Sequence, residues 1–99
     1  MTNYHLSLRA AADLEEIADY TIETFGIAQA RRYREGLETC FRRLADNPHL
    51  GPPVDRLAPG LRRYAFQSHV VFYKSETKRP IWILVVRVLH KRRDVERHL

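Results

Sequence analysis

Cysteine is nearly missing from this sequence: Cys40 is the only one in 99 residues, so no internal disulfide can form. The amino terminus also lacks a basic stretch followed by an apolar core, which a secretory signal would have. Both observations predict a cytoplasmic protein. The longest unbroken apolar run, Ile81–Val86, covers six residues, whereas a membrane-spanning helix needs about 20. We therefore expect no segment that crosses a membrane.

Ligand patterns for metal ions and cofactors are equally scarce. His5, His49 and His98 show no ligand spacing with one another or with Cys40, so the sequence predicts no metal site. Cys40 itself lies on the apolar stripe of a predicted helix, which indicates a buried, inert thiol. We expect no cofactor and no small-molecule substrate.

Positive charge is concentrated in the second half of the chain. The sequence has 17 Lys and Arg against 12 Asp and Glu, a net charge of +5. Residues 1–47 carry 6 basic and 8 acidic side chains, whereas residues 48–99 carry 11 and 4. A net charge of +7 in one half favours an acidic partner, such as nucleic acid or an acidic protein segment, because long-range attraction speeds encounter. A charged surface that only maintains solubility is the alternative.

The first half of the chain has one strand pattern and two helix patterns. Alternation over Asn3–Leu8 predicts a half-buried strand. Apolar residues follow helical spacing over Ala10–Phe25 and again over Ala30–Leu44, with Gly26 as the stop between the two helices. Pro48 ends the second helix. A connection this short predicts an antiparallel helix hairpin.

The second half has strand patterns. Four prolines and two glycines over Pro48–Gly60 predict an irregular crossing loop. Three segments rich in β-branched and aromatic residues then predict an antiparallel meander, with short breaks at 67–68 and 76–80. These segments are Leu61–Phe66, His69–Ser75 and Ile81–Leu89. The last is apolar on both faces at Ile81–Val86, which predicts a central strand covered by helices on one side, with the other face awaiting a partner.

The predicted fold is therefore a single α+β domain over residues 1–99. An N-terminal strand and an antiparallel helix hairpin pack on a C-terminal three-stranded antiparallel meander.

Short motifs along nearly the whole chain resemble the RelE/ParE toxin superfamily and are closest to its ParE branch. In the first half the matching pieces are Tyr4-His5-Leu6-Ser7, Ala12-Asp13-Leu14-Glu15-Glu16-Ile17, Gln29-Ala30, Phe41-Arg42-Arg43-Leu44-Ala45 and Asn47-Pro48. In the second half they are Gly60-Leu61-Arg62, His69-Val70-Val71-Phe72-Tyr73, Ile81-Trp82-Ile83 and Arg87-Val88-Leu89-His90 with Asp94. The ordered series carries the resemblance. One departure is Arg93, since the family often has an apolar residue immediately before the closing aspartate.

The resemblance implies the toxin component of a type II toxin–antitoxin system. Toxins of the ParE branch poison DNA gyrase by stabilising its cleaved-DNA complex and perform no chemistry of their own. A cognate ParD-like antitoxin silences such a toxin by folding a disordered acidic C-terminal segment over it. We accordingly expect DNA gyrase as the target, a hetero-oligomer with the antitoxin, and no catalytic residue.

Two alternatives remain open. The RelE-like branch consists of ribosome-dependent ribonucleases that cleave messenger RNA, and its candidate catalytic residues here would be Arg62, Arg87 and His90. Arginine stabilises transition-state charge, and histidine can act as an acid or a base near neutrality. The tail after His90 lacks the tyrosine that such nucleases typically use. A degenerate, non-toxic protein that only binds an antitoxin is the second alternative.

The candidate binding residues form two sets. The target-facing set, taken from the basic second half, is Arg62, Arg63, Arg87, His90, Lys91, Arg92 and Arg93. The antitoxin-facing set, taken as an apolar groove beside positive charge, is Tyr33, Leu37, Phe41, Arg62, Tyr73, Trp82 and Arg87. Arg62 and Arg87 also have a structural interpretation, as partners of a strand end or of a carboxylate such as that of Asp94.

Overall fold

The computed structural model describes residues 3–75 and 82–99. Its elements are β1 (Asn3–Leu6), α1 (Leu8–Phe25), α2 (Ile27–Asp46), β2 (Leu61–Phe66), β3 (His69–Ser75), β4 (Trp82–His90) and α3 (Val95–His98). The predicted break at 76–80 and the first residue predicted for the last strand, Ile81, lie outside the described residues. Within the described ranges the α+β prediction is confirmed.

The helix hairpin depends on two local signals. Ser7 caps α1, since its Oγ accepts a hydrogen bond from the Ala10 N–H at 2.9 Å. Gly26 separates the helices with a φ of +93°, a value that L side chains rarely adopt. Its N–H donates to the Ile22 carbonyl at 2.9 Å and closes α1, and α2 begins at the next residue. Neither of these helices, nor α3, has the length and apolar character needed to span a membrane.

The sheet has four strands in the order β1-β4-β3-β2. The meander is confirmed, because β2 pairs antiparallel with β3, and β3 pairs antiparallel with β4. β1 adds a parallel strand on the other side of β4, with Leu6 aligned to Val85. β4 is therefore an inner strand, as its apolar sequence predicts.

The main core lies between the helix hairpin and one face of the sheet. Its buried members are Ala10, Leu14, Leu37, Cys40, Phe41, Leu44, Ala45, Val71, Tyr73, Ile83, Val85 and Val88. Leu37, Phe41 and Tyr73 have no exposed surface at all. The prediction that these three side chains face an antitoxin is therefore wrong, because the helical and strand periodicities that place them on one stripe turn that stripe into the core. Burial also raises the pKa of the Cys40 thiol, which agrees with an inert role.

The opposite face of the sheet has a cover of its own. Leu61, Val70, Phe72 and Leu89 form a second buried cluster. Side chains of the crossing loop and of the tail pack against it: Val54, Leu57, Ala58, Val95 and Leu99. The loop and tail therefore cover this face around Val70, Phe72 and Leu89. Trp82, Leu84 and Val86 on the same face of β4 are half-buried, and a partner for that part of the face remains a prediction.

A tyrosine holds the crossing loop in place. The Tyr73 hydroxyl accepts a hydrogen bond from the Gly51 N–H at 2.9 Å and donates one to the Pro48 carbonyl at 2.8 Å. Gly51 is packed so tightly that a Cβ there would lie 2.3 Å from the Arg63 carbonyl oxygen and 2.7 Å from the Tyr73 hydroxyl. Tyr73 thus links the sheet to the start of the loop, from within the core.

Candidate functional site

Arg87 is a buried structural residue. Its exposed fraction is 7%, and its guanidinium binds Asp13 through two hydrogen bonds, from Nε to Oδ2 and from Nη2 to Oδ1, each 2.8 Å long. The hydrogen bond to Asp13 raises the pKa of Arg87 above its ordinary value. Arg87 was predicted to contact the target and the antitoxin, and both predictions are wrong, because its charged end is occupied inside the protein. Its carboxylate partner is Asp13, not Asp94.

The position of this ion pair follows from where β1 stops. Beyond Val85 the edge of β4 has no strand beside it, and the start of α1 covers that edge instead. The Ser7 N–H donates to the Val85 carbonyl at 3.0 Å, and the Ser7 Oγ donates to the Val86 carbonyl at 2.7 Å. Six residues after Ser7, Asp13 Oδ2 accepts a hydrogen bond from the Val88 N–H at 3.0 Å. Asp13 therefore satisfies both the strand edge and the arginine.

The same arginine holds the carboxy-terminal tail. Its Nη1 donates to the His98 carbonyl, which also accepts a hydrogen bond from Arg9 Nη2 at 3.1 Å. An exposed ion pair between Arg56 and Glu96, 3.6 Å long, adds little, because solvent screens such pairs. The tail is thus fixed mainly through the His98 carbonyl and the apolar contacts of Val95 and Leu99.

Arg62 also has a structural role. Its Nη1 donates to the Gly51 carbonyl at 2.6 Å, and its Nη2 lies 2.9 Å from His49 Nδ1. These contacts attach β2 to the crossing loop. Arg62 lies near the start of β2, whereas His90 aligns with His69, next to the other end of that strand. The candidate catalytic residues Arg62, Arg87 and His90 therefore do not come together.

The predicted basic residues at the end of β4 are exposed together. We call His90, Lys91, Arg92 and Arg93 the basic turn; all four are solvent-exposed. Backbone hydrogen bonds fix it, from the Lys91 N–H to the Ser68 carbonyl and from the Arg93 N–H to the His90 carbonyl, both 2.9 Å long. His90 Nδ1 accepts a third, from the Arg92 N–H at 3.1 Å. Arg63 is exposed on β2. The role of these residues in target binding remains a prediction.

The basic turn forms one side of an open cleft of about 580 Å³. The cleft runs between the helix hairpin, the turn that joins β2 to β3, and the end of β4. Its walls include apolar and aromatic side chains from the helices, namely Ile17, Tyr20, Phe25 and Tyr33, and its polar lining includes Asp13, Glu16, His69, His90 and Arg93. Sequence reasoning did not find this cleft, which we call the hairpin cleft. The 4-residue spacing of Asp13, Ile17 and Thr21 was the available signal, since it places an aspartate on a buried helix face.

His69 and Tyr33 meet inside the hairpin cleft. The Tyr33 hydroxyl lies 2.6 Å from His69 Nδ1, and the rings of His69 and His90 have centroids 5.4 Å apart. Burial, together with the nearby His90, lowers the pKa of His69 to about 4, so its imidazole is neutral at pH 7. Burial also raises the pKa of Tyr33, whose hydroxyl therefore keeps its proton. The cleft thus combines an uncharged histidine–tyrosine pair and the carboxylate of Glu16 with the cationic Arg93 at one rim.

Trp82 lies at the far end of β4 from the basic turn. It is half-buried, and its ring centroid is 4.1 Å from that of His5. Of the residues predicted to face an antitoxin, only Tyr33, Arg62 and Trp82 keep partial exposure, and they lie on three different elements. The described residues therefore do not form the single antitoxin groove that the sequence predicts.

Comparisons with known proteins agree on one family. A family model described as the ParE toxin of the type II toxin–antitoxin system parDE matches residues 4–95. Toxin ParE1 of Mycobacterium tuberculosis is 42% identical over 98 residues, which cover 99% of this chain and 98% of that toxin. Toxin ParE1 of Caulobacter vibrioides is 37% identical over 99 residues, which cover 100% and 99%. A solved structure titled as the chromosomal ParDE system from P. aeruginosa has the same fold, with a TM-score of 0.74 and 20% identity, and the match covers 91% of this chain and 96% of that one.

Proposed function

This chain belongs to the ParE family of toxins from type II toxin–antitoxin systems, and on that premise we propose that it poisons DNA gyrase in the cytoplasm without catalysing a reaction. The observation that carries the proposal is the basic turn, which exposes His90, Lys91, Arg92 and Arg93 at the end of an inner strand. The exposed cations of Lys91, Arg92 and Arg93 attract the phosphates of the DNA that gyrase holds, or acidic groups of gyrase itself.

The target surface then consists of the basic turn and Arg63. Arg62 and Arg87 do not belong to it, because their guanidinium groups already bind the loop, Asp13 and the tail. The separation of Arg62 from His90 supports a toxin that acts by binding. A ribonuclease would instead need its cationic groups around one scissile phosphate.

A strand-break assay tests the gyrase target. Purified toxin is mixed with gyrase, ATP and relaxed plasmid, and cleaved DNA is measured after the enzyme is denatured. We expect gyrase-dependent strand breaks that the variant Arg92→Glu/Arg93→Glu does not produce. The matched control is Arg31→Glu/Arg32→Glu, which makes the same charge change on the exposed part of α2 and should keep full activity. Normal supercoiling with no strand breaks at any toxin concentration would contradict the proposal.

Induced expression in cells distinguishes the remaining alternatives. Filamentation with a DNA damage response supports the gyrase target. Early cleavage of messenger RNA before any DNA damage would point to the ribonuclease, and unimpaired growth at verified protein levels would point to a non-toxic protein.

We further propose that the cognate antitoxin is ParD-like and neutralises the toxin by covering the basic turn with an acidic segment. The charge of +7 on residues 48–99 favours such a segment, and one surface shared by target and antitoxin explains why binding silences the toxin. Titration calorimetry with the protein encoded beside the toxin gene tests this proposal. Affinity should fall at least tenfold for Arg92→Glu/Arg93→Glu and should be unchanged for Arg31→Glu/Arg32→Glu. Equal affinity of the antitoxin for the unmodified toxin and for both variants would show that the antitoxin binds another surface.

A further inference from the structure

The hairpin cleft has the size and openness of a ligand site, and the gyrase proposal leaves its interior unused. Its volume of about 580 Å³ falls within the range of roughly 300–1,000 Å³ that holds small ligands in other proteins. A long helical peptide would need an extended groove instead. We therefore considered which ligand-sized group matches the chemistry of the walls.

Two large aromatic side chains that line the cleft are mostly solvent-exposed. Tyr20 is 65% exposed and Phe25 is 66% exposed, and both line the cleft together with the half-buried Tyr33. Scattered exposed aromatic residues are ordinary, but aromatic residues gathered around one cavity mark a binding site. Aromatic faces stack on nucleobases of any sequence, because every base has a π-face.

The charges of the cleft are arranged along its length. Arg93 and His90 lie where the basic turn forms the rim, and Lys91 and Arg92 continue the positive charge beyond it. On the helix wall, Arg87 neutralises the charge of Asp13, whose Oδ2 also accepts a hydrogen bond from the Val88 N–H. Glu16 is then the exposed carboxylate acceptor close to the aromatic residues.

This arrangement matches the two ends of a nucleotide. A base can stack on Tyr20 or Phe25, and its exocyclic amino group can donate to Glu16, whereas its phosphate can bind Arg93. The neutral His69, held by Tyr33, offers a hydrogen-bonding group inside the cleft without adding charge. An acidic peptide can bind the basic turn at the rim, but it fits the interior less well, because a carboxylate there would meet Glu16 and would not stack on Tyr20 or Phe25.

We propose that the hairpin cleft binds an unpaired nucleotide, with the base against Tyr20 and Phe25 and the phosphate at Arg93. The cations of Lys91 and Arg92 lie beyond the rim and can bind the next phosphates, so the ligand is a nucleotide within a single strand. A base paired in a duplex cannot enter, because both of its faces are covered by stacking. The inference does not depend on gyrase, since it concerns a direct contact between this chain and nucleic acid.

Fluorescence anisotropy with the full-length, antitoxin-free protein tests the inference. The probes are a labelled eight-nucleotide DNA strand of mixed sequence and the blunt duplex of the same sequence. We expect the single strand to bind more tightly than the duplex. Tyr20→Ala/Phe25→Ala should weaken this binding about tenfold or more, as expected for lost base stacking. The matched control Leu8→Ala/Ile27→Ala removes two exposed apolar side chains outside the cleft lining and should change affinity less than twofold.

Salt dependence tests the phosphate end of the site. Arg93→Gln should reduce the slope of log affinity against log salt by about 0.7, the value for one phosphate contact with a single strand, whereas Arg97→Gln should leave the slope unchanged. Displacement of the probe by a mononucleotide supports the site and shows that one nucleotide suffices. Circular dichroism verifies that each variant is folded.

Several results would overturn the inference. These are absence of single-strand binding, equal binding of strand and duplex, and unchanged affinity for Tyr20→Ala/Phe25→Ala. Displacement of the probe by polyglutamate but not by a mononucleotide would also overturn it, since the cleft would then be an acidic-peptide site. The gyrase proposal can fail or succeed separately, because gyrase is absent from these measurements.

Discussion

Replacement of Asp13 by alanine should destabilise the fold more than any surface change, because it leaves the buried Arg87 without its counter-charge. Asp13 and Arg87 are 6% and 7% exposed, and two hydrogen bonds of 2.8 Å join them. Removal of one partner from a buried ion pair typically costs about 3–5 kcal/mol. The Val88 N–H also loses its acceptor, which adds to the cost.

This loss is large relative to the stability of the whole protein. Small domains have a free energy of unfolding of about 5–15 kcal/mol, so Asp13→Ala should remove between a fifth and all of it. At about 4–8 °C per kcal/mol for a domain of this size, the melting temperature should fall by at least about 12 °C. Urea unfolding followed by circular dichroism measures the change directly.

Two further variants separate the ion pair from other effects. Asp13→Ala/Arg87→Met removes both charges and should be more stable than Asp13→Ala alone, because no uncompensated charge stays buried. Glu38→Gln removes a partly exposed ion pair with Arg34, 3.4 Å long, and should cost less than about 1 kcal/mol. A cost below about 1 kcal/mol for Asp13→Ala would refute the reasoning, since the pair would then be solvated like a surface pair.

Three other outcomes follow from contacts elsewhere in the fold. Tyr73→Phe removes the hydroxyl that joins Gly51 to Pro48 and should cost about 1–3 kcal/mol in urea unfolding, because the Gly51 N–H is left unsatisfied; an unchanged midpoint would contradict this. Gly51→Ala places a Cβ against the Arg63 carbonyl and should lower the free energy of unfolding by at least about 1–3 kcal/mol. The comparison variant is Gly60→Ala, where a Cβ meets no atom within 4 Å, so that only the backbone strain of a φ of +76° contributes. The pKa of His69 is lowered to about 4 in the folded chain, so below about pH 6.5 the unfolded chain takes up a proton that the folded chain excludes. The free energy of unfolding should therefore be unaffected by this group above pH 6.5 and should fall as the pH drops from about 6.5 to 4. His69→Gln should flatten that pH dependence, and an identical profile for the variant would show that another group is responsible.

The sequence predicts local structure well where one residue type carries the signal. Ser7, Gly26 and Pro48 mark the helix ends, and β-branched residues mark the strands, because capping, left-handed φ and strand propensity act over a few residues. The pairing of β1 with β4 was not predicted, since strand pairing between distant segments has no local signature.

The candidate site was predictable only in part. The exposed basic turn follows from an unbroken run of cationic residues after a strand. The burial of Arg87 does not follow from its neighbours, because its partner Asp13 lies 74 residues away in the chain. Likewise, helical spacing identifies Leu37 and Phe41 as one stripe, but spacing alone does not distinguish a stripe that meets the sheet from one that meets another protein. The hairpin cleft needs three elements to form, so no single segment reveals it.

The parallel pairing of β1 with β4 has a consequence for synthesis of the chain. β1 is synthesised about 79 residues before its partner strand β4, the separation that the Ser7–Val86 hydrogen bond spans. The pairing of β1 with β4 can form only after β4 has left the ribosome, since a contact between distant segments needs both segments. A nascent chain therefore keeps β1 without its partner strand until β4 has been synthesised.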